Sequence, residues 1–589
     1  MSNPLRMTQI KNKALRSLVK KLSKIDTLEQ WYDDWLAFDE KGEKHVDAFL
    51  DYTLKRLNVT AELQNIQSLQ DSPQAEPLII VANHPLGGLE GMLLTQLIRK
   101  IRPDLKVLTN ELLRVFPEFH DTFIGVDVLN PNKQRENARA MRDIAQHLAN
   151  DGALLVFPAG TVSHLSLPSG DIVDAPWDTM IVRLARKYSA AILPIYVDAQ
   201  NTLPFYLSAH IHKRLRTMLL PRAMINKSGA HIPLKSGALI PAKDIQRLTN
   251  NTIATNYIRM CCEILQNEES NNAQNAAITM NTIKPDIALN TVSAHIETLE
   301  DCLIHEQNNF ALYCASYDRL GPVMQQLAIE REKTFRQVDE GTGRELDSDR
   351  FDPHYYHLFI WDKDAQRIAG GYRLGQTDTI TKSLGINSLY SHSLFKYDTK
   401  FLNKMGKTIE VGRSFITPAY QRHPGALDIL WKGIGRFVAQ NPEYHTLFGC
   451  VSISSQYSKL ATTLLSQTFL SHYGVDDTVQ RNIKARTPLS QHKTPWTKKQ
   501  LSHLSDIPVI NKLVGRIDTG KSIPVLIRHY LALNGRFMSF TVNTGFNHSL
   551  DGLIMVDLRT APEKYLKRYM GEYGLQTFKS QWETHKDVA

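Results

Sequence analysis

The chain has 589 residues, 42% hydrophobic, 8% aromatic and 22% charged, which excludes wholesale disorder or a small disulfide scaffold and leaves room for two or more domains. Its 69 Lys and Arg outnumber 60 Asp and Glu, a formal charge of +9 that suits anionic lipid, an acidic protein or nucleic acid. Five cysteines (Cys261, Cys262, Cys302, Cys314, Cys450) make no C-x-x-C pair and no zinc-spaced cluster, so no metal site is expected and a reducing cytoplasm fits best.

Residues 1–48 read as a basic amphipathic region. Arg6, Lys11, Lys13, Arg16, Lys20, Lys21 and Lys24 interleave with Leu5, Met7, Ile10, Leu15, Leu18, Val19, Leu22 and Ile25. Such a helix either packs on its own domain or lies in the headgroup layer of an anionic membrane. No segment has the apolar length of a bilayer span, and the start of the chain lacks a signal peptide's apolar core.

Residues 49–265 alternate strand candidates (Leu78 to Ala82, Lys106 to Thr109, Ala153 to Phe157, Ala191 to Val197) with helical stretches (Glu136 to Asn150, Trp177 to Tyr188), the pattern of an α/β layer domain. Within it, Leu203-Pro204-Phe205-Tyr206 followed by Lys213, Arg214, Arg216 and Arg222 is a second apolar and basic mixture, which favours a membrane surface. The Asn/Gln/Ala-rich residues 266–295 read as a linker. Residues 296–589 place β-rich runs at Tyr355 to Trp361, Arg367 to Leu374, Lys407 to Phe415 and Thr446 to Ser452 between helices at Leu320 to Arg336 and Leu427 to Gln440, with an extension from about Thr497. The expected fold class is α/β in two domains.

The first chemical constellation is Asn83-His84-Pro85-Leu86-Gly87-Gly88-Leu89-Glu90, at the junction of a buried strand and a helix. A carboxylate near one imidazole nitrogen fixes the tautomer and leaves the other nitrogen to accept a proton from a hydroxyl; the bland alternative is a helix-capping turn. Two further strand ends follow, Phe157-Pro158-Ala159-Gly160-Thr161 and Leu193-Pro194-Ile195. Their order and spacing over Leu50 to Leu248 resemble the glycerolipid acyltransferase superfamily. The resemblance implies His84 as general base, Glu90 as its orienting acid, and Pro158, Gly160 and Thr161 as substrate-binding. Glu90 replaces an aspartate one position further along, Ala159 stands where the family usually has glutamate, and Phe123 to Leu129 lacks the family's phosphate-binding arginine. An acceptor without phosphate is implied, with Arg135 or Arg139 as the possible replacements.

The second constellation runs Arg331-x3-Phe335, Asp349-x2-Asp352, Gly370-Gly371-Tyr372-Arg373-Leu374 and Glu410-x2-Arg413-x-Phe415. Arginines and carboxylates on a β-rich core are also what a structural ion-pair network looks like. In this order, from about Phe310 to Val475, they resemble the acyl-homoserine-lactone synthase branch of the N-acyltransferase (GNAT) fold, and still more its ornithine-acylating relatives. The resemblance implies Glu410 as base for an amine, directly or through water, Arg413 holding its geometry, Phe335 near an acyl thioester, and Arg331, Asp349, Asp352 and Arg373 around donor and acceptor. Only part of a pyrophosphate-cradling turn remains in Arg422 to Leu427, which fits acyl carrier protein as co-substrate, with no other cofactor.

Together the halves resemble bifunctional ornithine lipid synthases: an N-terminal glycerolipid-acyltransferase-like domain and a C-terminal GNAT-like domain. The implied reaction is N-acylation of ornithine with a 3-hydroxyacyl group, then O-acylation of the lyso-lipid, peripheral on the inner face of a bacterial membrane. The alternatives are a glycerophospholipid acyltransferase fused to an N-acyltransferase for glycine, serine or taurine, and a non-catalytic membrane scaffold. No nucleic-acid partner is expected, because the basic positions lack interleaved surface aromatics and a recognisable module.

Overall fold

The computed structural model describes residues 3–6, 13–38, 45–72, 75–126, 134–166, 170–211, 213–248, 250–266, 280–490 and 492–583. The chain forms two compact units, Met1–Glu269 with Pro495–Leu504, and Ser270–Thr494 with Ser505–Ala589.

The strands of the first unit are β1 (Thr60–Gln64), β2 (Leu78–Ala82), β3 (Lys106–Asn110), β4 (Phe123–Val126), β5 (Ala153–Val156), β6 (His164–Leu165), β7 (Ile172–Val173), β8 (Ala191–Val197) and β9 (His231–Ser236). Seven of them form one sheet in the order β1-β9-β8-β2-β5-β3-β4, while β6 and β7 make a separate hairpin. All neighbours in the large sheet are parallel except β8 and β9. The unbroken apolar run Leu78-Ile79-Ile80-Val81-Ala82 is what a central parallel strand covered on both faces requires, and all five residues are buried. β2 lies between β5 and β8, so loops from three strand ends gather at one carboxyl edge, where ligands of open α/β sheets bind.

The amino-terminal basic segment is not one helix. Helices Lys13–Ser23 and Ile25–Phe38 are separated by Lys24, whose φ of 55° breaks the helix. Tyr32 and Trp35 of the second helix are buried in the same core as Phe49 and Leu93. Met7, Ile10 and Lys11 lie outside the described residues, as do the side chains of Lys13 and Leu15.

The second unit contributes β10 (Leu303–Gln307), β11 (Phe310–Ser316), β12 (Tyr356–Asp362), β13 (Arg367–Gln376), β14 (Phe395–Lys396), β15 (Thr408–Ile416), β16 (Thr446–Ile453), β17 (Lys484–Ala485), β18 (Arg536–Asn543) and β19 (Ser549–Asp557). Eight form a sheet in the order β10-β11-β12-β13-β15-β16-β19-β18. Its pairs are antiparallel apart from β15 and β16. That parallel pair is joined only from Thr408↔Thr446 to Glu410↔Phe448, so both strands run on unpaired with each other. Gly449 permits the last close approach, since a Cβ there would overlap the Val411 carbonyl.

Part of the expected linker is integral to this unit. Asn281 N and Lys284 N donate to the carbonyls of Gly343 (2.8 Å) and Glu345 (2.9 Å), and helix Leu289–Glu297 buries Val292 and Ile296. Residues 267–279 lie outside the described residues. Among those described, no helix is long and apolar enough to cross a membrane.

Candidate functional sites

In the first unit, β2 ends at Ala82, and the chain turns through Asn83 to Gly87 before helix Gly88–Arg99. The turn is clamped from three directions. Asn83 donates to the Val197 carbonyl (3.1 Å) and accepts from Val197 N (2.6 Å), locking it to the end of β8. Asn201 Nδ2 and the Tyr206 hydroxyl donate to the Pro85 carbonyl at 3.1 and 3.2 Å. Asp174 accepts from His84 N (3.3 Å), the Ser163 hydroxyl (2.5 Å) and Trp177 Nε1 (3.1 Å). Gly87 has φ of 99°, a conformation that demands glycine, and a Cβ there would also have to push aside Leu220 Cδ2, 2.6 Å away.

Glu90 is fully buried in the first helical turn. Its Oε1 accepts from Leu86 N and Gly87 N, both at 2.9 Å, and lies 2.9 Å from His84 Nδ1. The last approach is close without meeting hydrogen-bond geometry, and Glu90 Oε2 is likewise buried without a hydrogen-bond partner among the described residues. The longer glutamate arm thus reaches back across the turn that an aspartate one position earlier would span. Nε2 is the imidazole nitrogen left for a substrate. The ring packs on Phe157 with centroids 4.6 Å apart. Phe157 leads into the turn in which Pro158 is buried, Gly160 adopts φ of 64°, and Gly160 and Thr161 are exposed. His84 and this turn follow the adjacent strands β2 and β5. Arg139 is exposed on helix Gln134–Ala149; residues 127–130 and the Arg135 side chain lie outside the described residues.

The second unit brings its predicted arginines and aspartates into one buried network. Arg331 Nη1 lies 2.9 Å from Asp352 Oδ1, Arg373 Nη1 lies 2.7 Å from Asp349 and 3.0 Å from Asp352, and Arg413 Nη2 lies 2.9 Å from Asp349. Asp347, which the sequence reading passed over, sits 2.9 Å from Arg413 Nε. Three guanidinium groups therefore face three carboxylates, and the network is neutral within itself. Burial disfavours the charged form of Asp352, but Arg331 and Arg373 outweigh it and hold that carboxyl well below the usual range. At Asp347 burial prevails over the opposing pull of Arg413, and its pKa is raised.

His357, also missed from sequence, completes this layer. Its Nδ1 accepts from Arg331 Nη2 (3.0 Å) and its Nε2 donates to the Asp352 carbonyl (3.0 Å), a pairing that requires the neutral ring. Burial, with Arg331 adding to it, pushes its pKa down to about 3. Arg413 sits at a β-bulge with φ of 51°, which aims its side chain over the rings of Tyr390 (4.7 Å) and Phe546 (4.5 Å). Phe335 packs against Phe546 at 5.4 Å and Phe415 at 6.4 Å.

Glu410, the expected base, is tightly held. It is 2% exposed, and both oxygens are engaged: Oε2 accepts from the Tyr355 hydroxyl and Tyr390 N (3.1 Å), Oε1 from Ser391 N (2.6 Å). A carboxylate holding three donors fastens Tyr390, Ser391 and Tyr355 to β15 and leaves about one acceptor site open.

A family model described as Acyltransferase matches residues 43–271, and one described as Acetyltransferase (GNAT) domain matches residues 331–432. The chain is an enzyme of the acyltransferase class with two acyltransferase domains, the C-terminal one of GNAT type. Among curated proteins it is similar to a glycine N(alpha)-acyltransferase of Phocaeicola vulgatus, 28% identical over 255 residues, 40% of this chain and 76% of the relative. The corresponding protein of Bacteroides thetaiotaomicron is 26% identical over 296 residues, 48% of this chain and 85% of the relative. A lyso-glycine lipid O-acyltransferase of Phocaeicola vulgatus is 27% identical over 179 residues, 30% of this chain and 60% of the relative.

Proposed function

We propose that the protein builds a diacylated amino-acid lipid by two successive acyl transfers. The second unit joins a 3-hydroxyacyl group to an amino acid's α-amino nitrogen, and the first unit then acylates the new 3-hydroxyl. The observation that carries this reading is the presence in one chain of two acyltransferase domains whose relatives are named for both steps of one lipid's synthesis. Those names favour glycine as acceptor. Ornithine is the second reading, supported by the likeness of the Arg331-to-Phe415 motifs to ornithine-acylating enzymes. An acyl carrier protein thioester is the proposed donor for both steps.

In the first unit, His84 Nε2 takes the proton of the lyso-lipid hydroxyl as its oxygen attacks the thioester carbon. Glu90 orients the ring and favours the imidazolium that forms. The turn Pro158 to Thr161 forms the adjoining wall for the acyl donor. In the second unit, the amine attacks the thioester, and the neutral Arg331, Arg373, Arg413, Asp347, Asp349 and Asp352 network rigidly backs the space where β15 and β16 separate. Phe335 supplies apolar surface to the acyl chain.

A membrane surface is the proposed working place of the first unit. Leu18 and Leu22 are 53% and 38% exposed on helix Lys13–Ser23, and Leu203 and Leu207 are 57% and 43% exposed on Leu203–Ile211. Arg222, on the helix that follows, donates to the Leu22 carbonyl at 3.4 Å, so both apolar and basic segments lie side by side. Lys20 contributes less than the sequence promised, being paired with Asp26 (2.6 Å) and Glu29 (2.7 Å).

The test is expression in a host lacking amino-acid lipids, with mass spectrometry of the extract, and assay of purified protein with 3-hydroxyacyl thioester and either glycine or ornithine. Amide-linked mono- and diacyl products are expected. No thiol release with any amino acid would overturn the proposal.

A further inference from the structure

We propose that Glu340 is the group that receives the amine's proton in the second unit, with Ser452, Asp551 and Asn543 forming the polar pocket that holds the acceptor beside it. This rests on the amine-acylating reading above and names as its base a carboxylate other than the tightly held Glu410.

The neutral network cannot complement an incoming ammonium, because each of its carboxylates already faces a guanidinium. A different pair of carboxylates is not so balanced. Glu340 follows helix Pro322–Arg336, and its loop is fastened to the far end of β16 and the β18–β19 turn. The Ser454 hydroxyl donates to the Val338 carbonyl, and Asn547 Nδ2 donates to the Asp339 carbonyl at 3.0 Å. This places the Glu340 carboxyl against β16, where Oε2 accepts from the Ser452 hydroxyl at 2.7 Å. Ser452 lies directly opposite Asp551 in the β16–β19 ladder, so their side chains share one face. Asp551 accepts from Asn543 Nδ2 (2.8 Å) and the Ser549 hydroxyl (3.0 Å), and Asn543 also donates to the Tyr390 hydroxyl at 3.2 Å.

Two independent observations point this cluster at a ligand. Glu340 is 7% exposed, and among the described residues its only hydrogen bond is the one that Oε2 accepts from Ser452, which leaves Oε1 for a ligand. Ser452 also lies on the stretch of β16 beyond Phe448, where pairing with β15 has ceased and where Arg413 bulges from the opposite strand. Among the described residues no guanidinium or ammonium is paired with Glu340, so a cation brought by the substrate would be its natural complement.

Burial, reinforced by Asp551, raises the Glu340 pKa to about 7, and burial raises Asp551 to about 6 against the pull of Asn543, Ser549 and Arg413. The titratable and charged groups bearing on this pocket are Asp551 from β19, Arg413 from β15, Tyr390, and Tyr457 beyond β16. In the step itself, the ammonium gives one proton to Glu340, and the freed nitrogen pair forms the C–N bond to the thioester carbon. The C–S bond then breaks, and the departing thiolate takes the second nitrogen proton as it leaves.

The experiment uses the full chain with a 3-hydroxyacyl thioester and glycine, reading thiol release against pH. For the wild type, kcat/KM for the amine is expected to rise with pH through a midpoint near 7. Glu340→Gln should lower kcat at least 100-fold and erase that limb, with KM for the thioester unchanged and O-acylation of supplied lyso-lipid retained; Glu340→Asp should restore part of the rate. Ser452→Ala, which removes a hydrogen bond that favours the carboxylate, should move the limb to higher pH. A limb that persists in Glu340→Gln, or that stays in place in Ser452→Ala, overturns the assignment of the base alone. Absence of N-acylation by the wild type overturns the functional reading on which it rests.

Discussion

Glu90 performs two tasks that substitution can separate. Its Oε1 caps the helix by accepting from Leu86 N and Gly87 N, and it lies 2.9 Å from His84 Nδ1. Glu90→Ala leaves two buried N–H groups unpaired, at about 1–3 kcal/mol each, so about 2–6 kcal/mol of stability is lost. Glu90→Gln keeps an oxygen for both N–H groups but loses the charge and sets an amide NH2 where Oε2 is buried without a partner, a cost of about 1–3 kcal/mol. It also deprives the imidazolium of its anionic partner. General-base catalysis is worth about 100- to 10,000-fold and here depends on the carboxylate behind the ring, so O-acylation by Glu90→Gln should fall by up to that factor, about 100-fold or more, although the protein remains folded. The assay is O-acylation of purified lyso-lipid at 25 °C, alongside thermal unfolding, with accumulation of the monoacyl product in cells as a second readout. Wild-type turnover in a folded Glu90→Gln variant would refute the argument, reducing Glu90 to a helix cap.

Three further predictions follow from burial and charge. Asp352→Asn breaks a carboxylate shared by Arg331 and Arg373, so the second unit should lose about 3–5 kcal/mol and N-acylation with it, while supplied lyso-lipid is still O-acylated. Glu340 and Asp551 have folded pKa values of about 7 and about 6, above their ordinary 4.5 and 3.8, so their stabilising contribution is complete below pH about 4 and is lost as pH rises through 6 to 7. Each is worth about 3 kcal/mol, and denaturant unfolding from pH 5 to 8 should show the decline, which Glu340→Gln makes shallower. Leu18→Asp with Leu22→Asp should weaken sedimentation with anionic vesicles at least 10-fold, since burying one leucine is worth about 1.5–3 kcal/mol; unchanged binding would remove this face from the membrane.

Much of the scaffold was legible because apolar runs dictate it. The short, β-branched apolar stretches Leu78 to Ala82 and Ala191 to Val197 read as largely buried strands, and both are central in the first sheet. His84 and Glu90 were legible because they share one strand-to-helix turn. Asp174 was not, being 90 residues from His84 and reaching it only through folding. His357 looked like any histidine in a β-run until Arg331 and the Asp352 carbonyl fixed both its nitrogens. The surroundings of Glu410 were not legible for the opposite reason: its motif is clear, but sequence cannot show that two backbone N–H groups and a phenol donate to its oxygens. The segment Pro495–Leu504 carries no mark of membership in the first unit, yet the Gln500 carbonyl accepts from Asn256 Nδ2 at 2.7 Å.

On the proposed assignments, the two units solve different proton problems with different groups. An alcohol gives up its proton only as its oxygen bonds to carbon, so the base must be aligned with the attacking oxygen and still be reachable. That suits an imidazole clamped through Asn83, Asp174 and Glu90 with Nε2 left open. An ammonium must lose its proton before it can attack at all, so its base is best placed where an unpaired carboxylate is uncomfortable without a cation. Glu340 meets that condition, and the self-neutralised arginine network beside it does not. The amide product carries no charge on nitrogen, so it no longer complements Glu340 and Asp551. The same electrostatics that recruit the amine therefore favour release of the monoacyl intermediate, whose hydroxyl is what His84 requires.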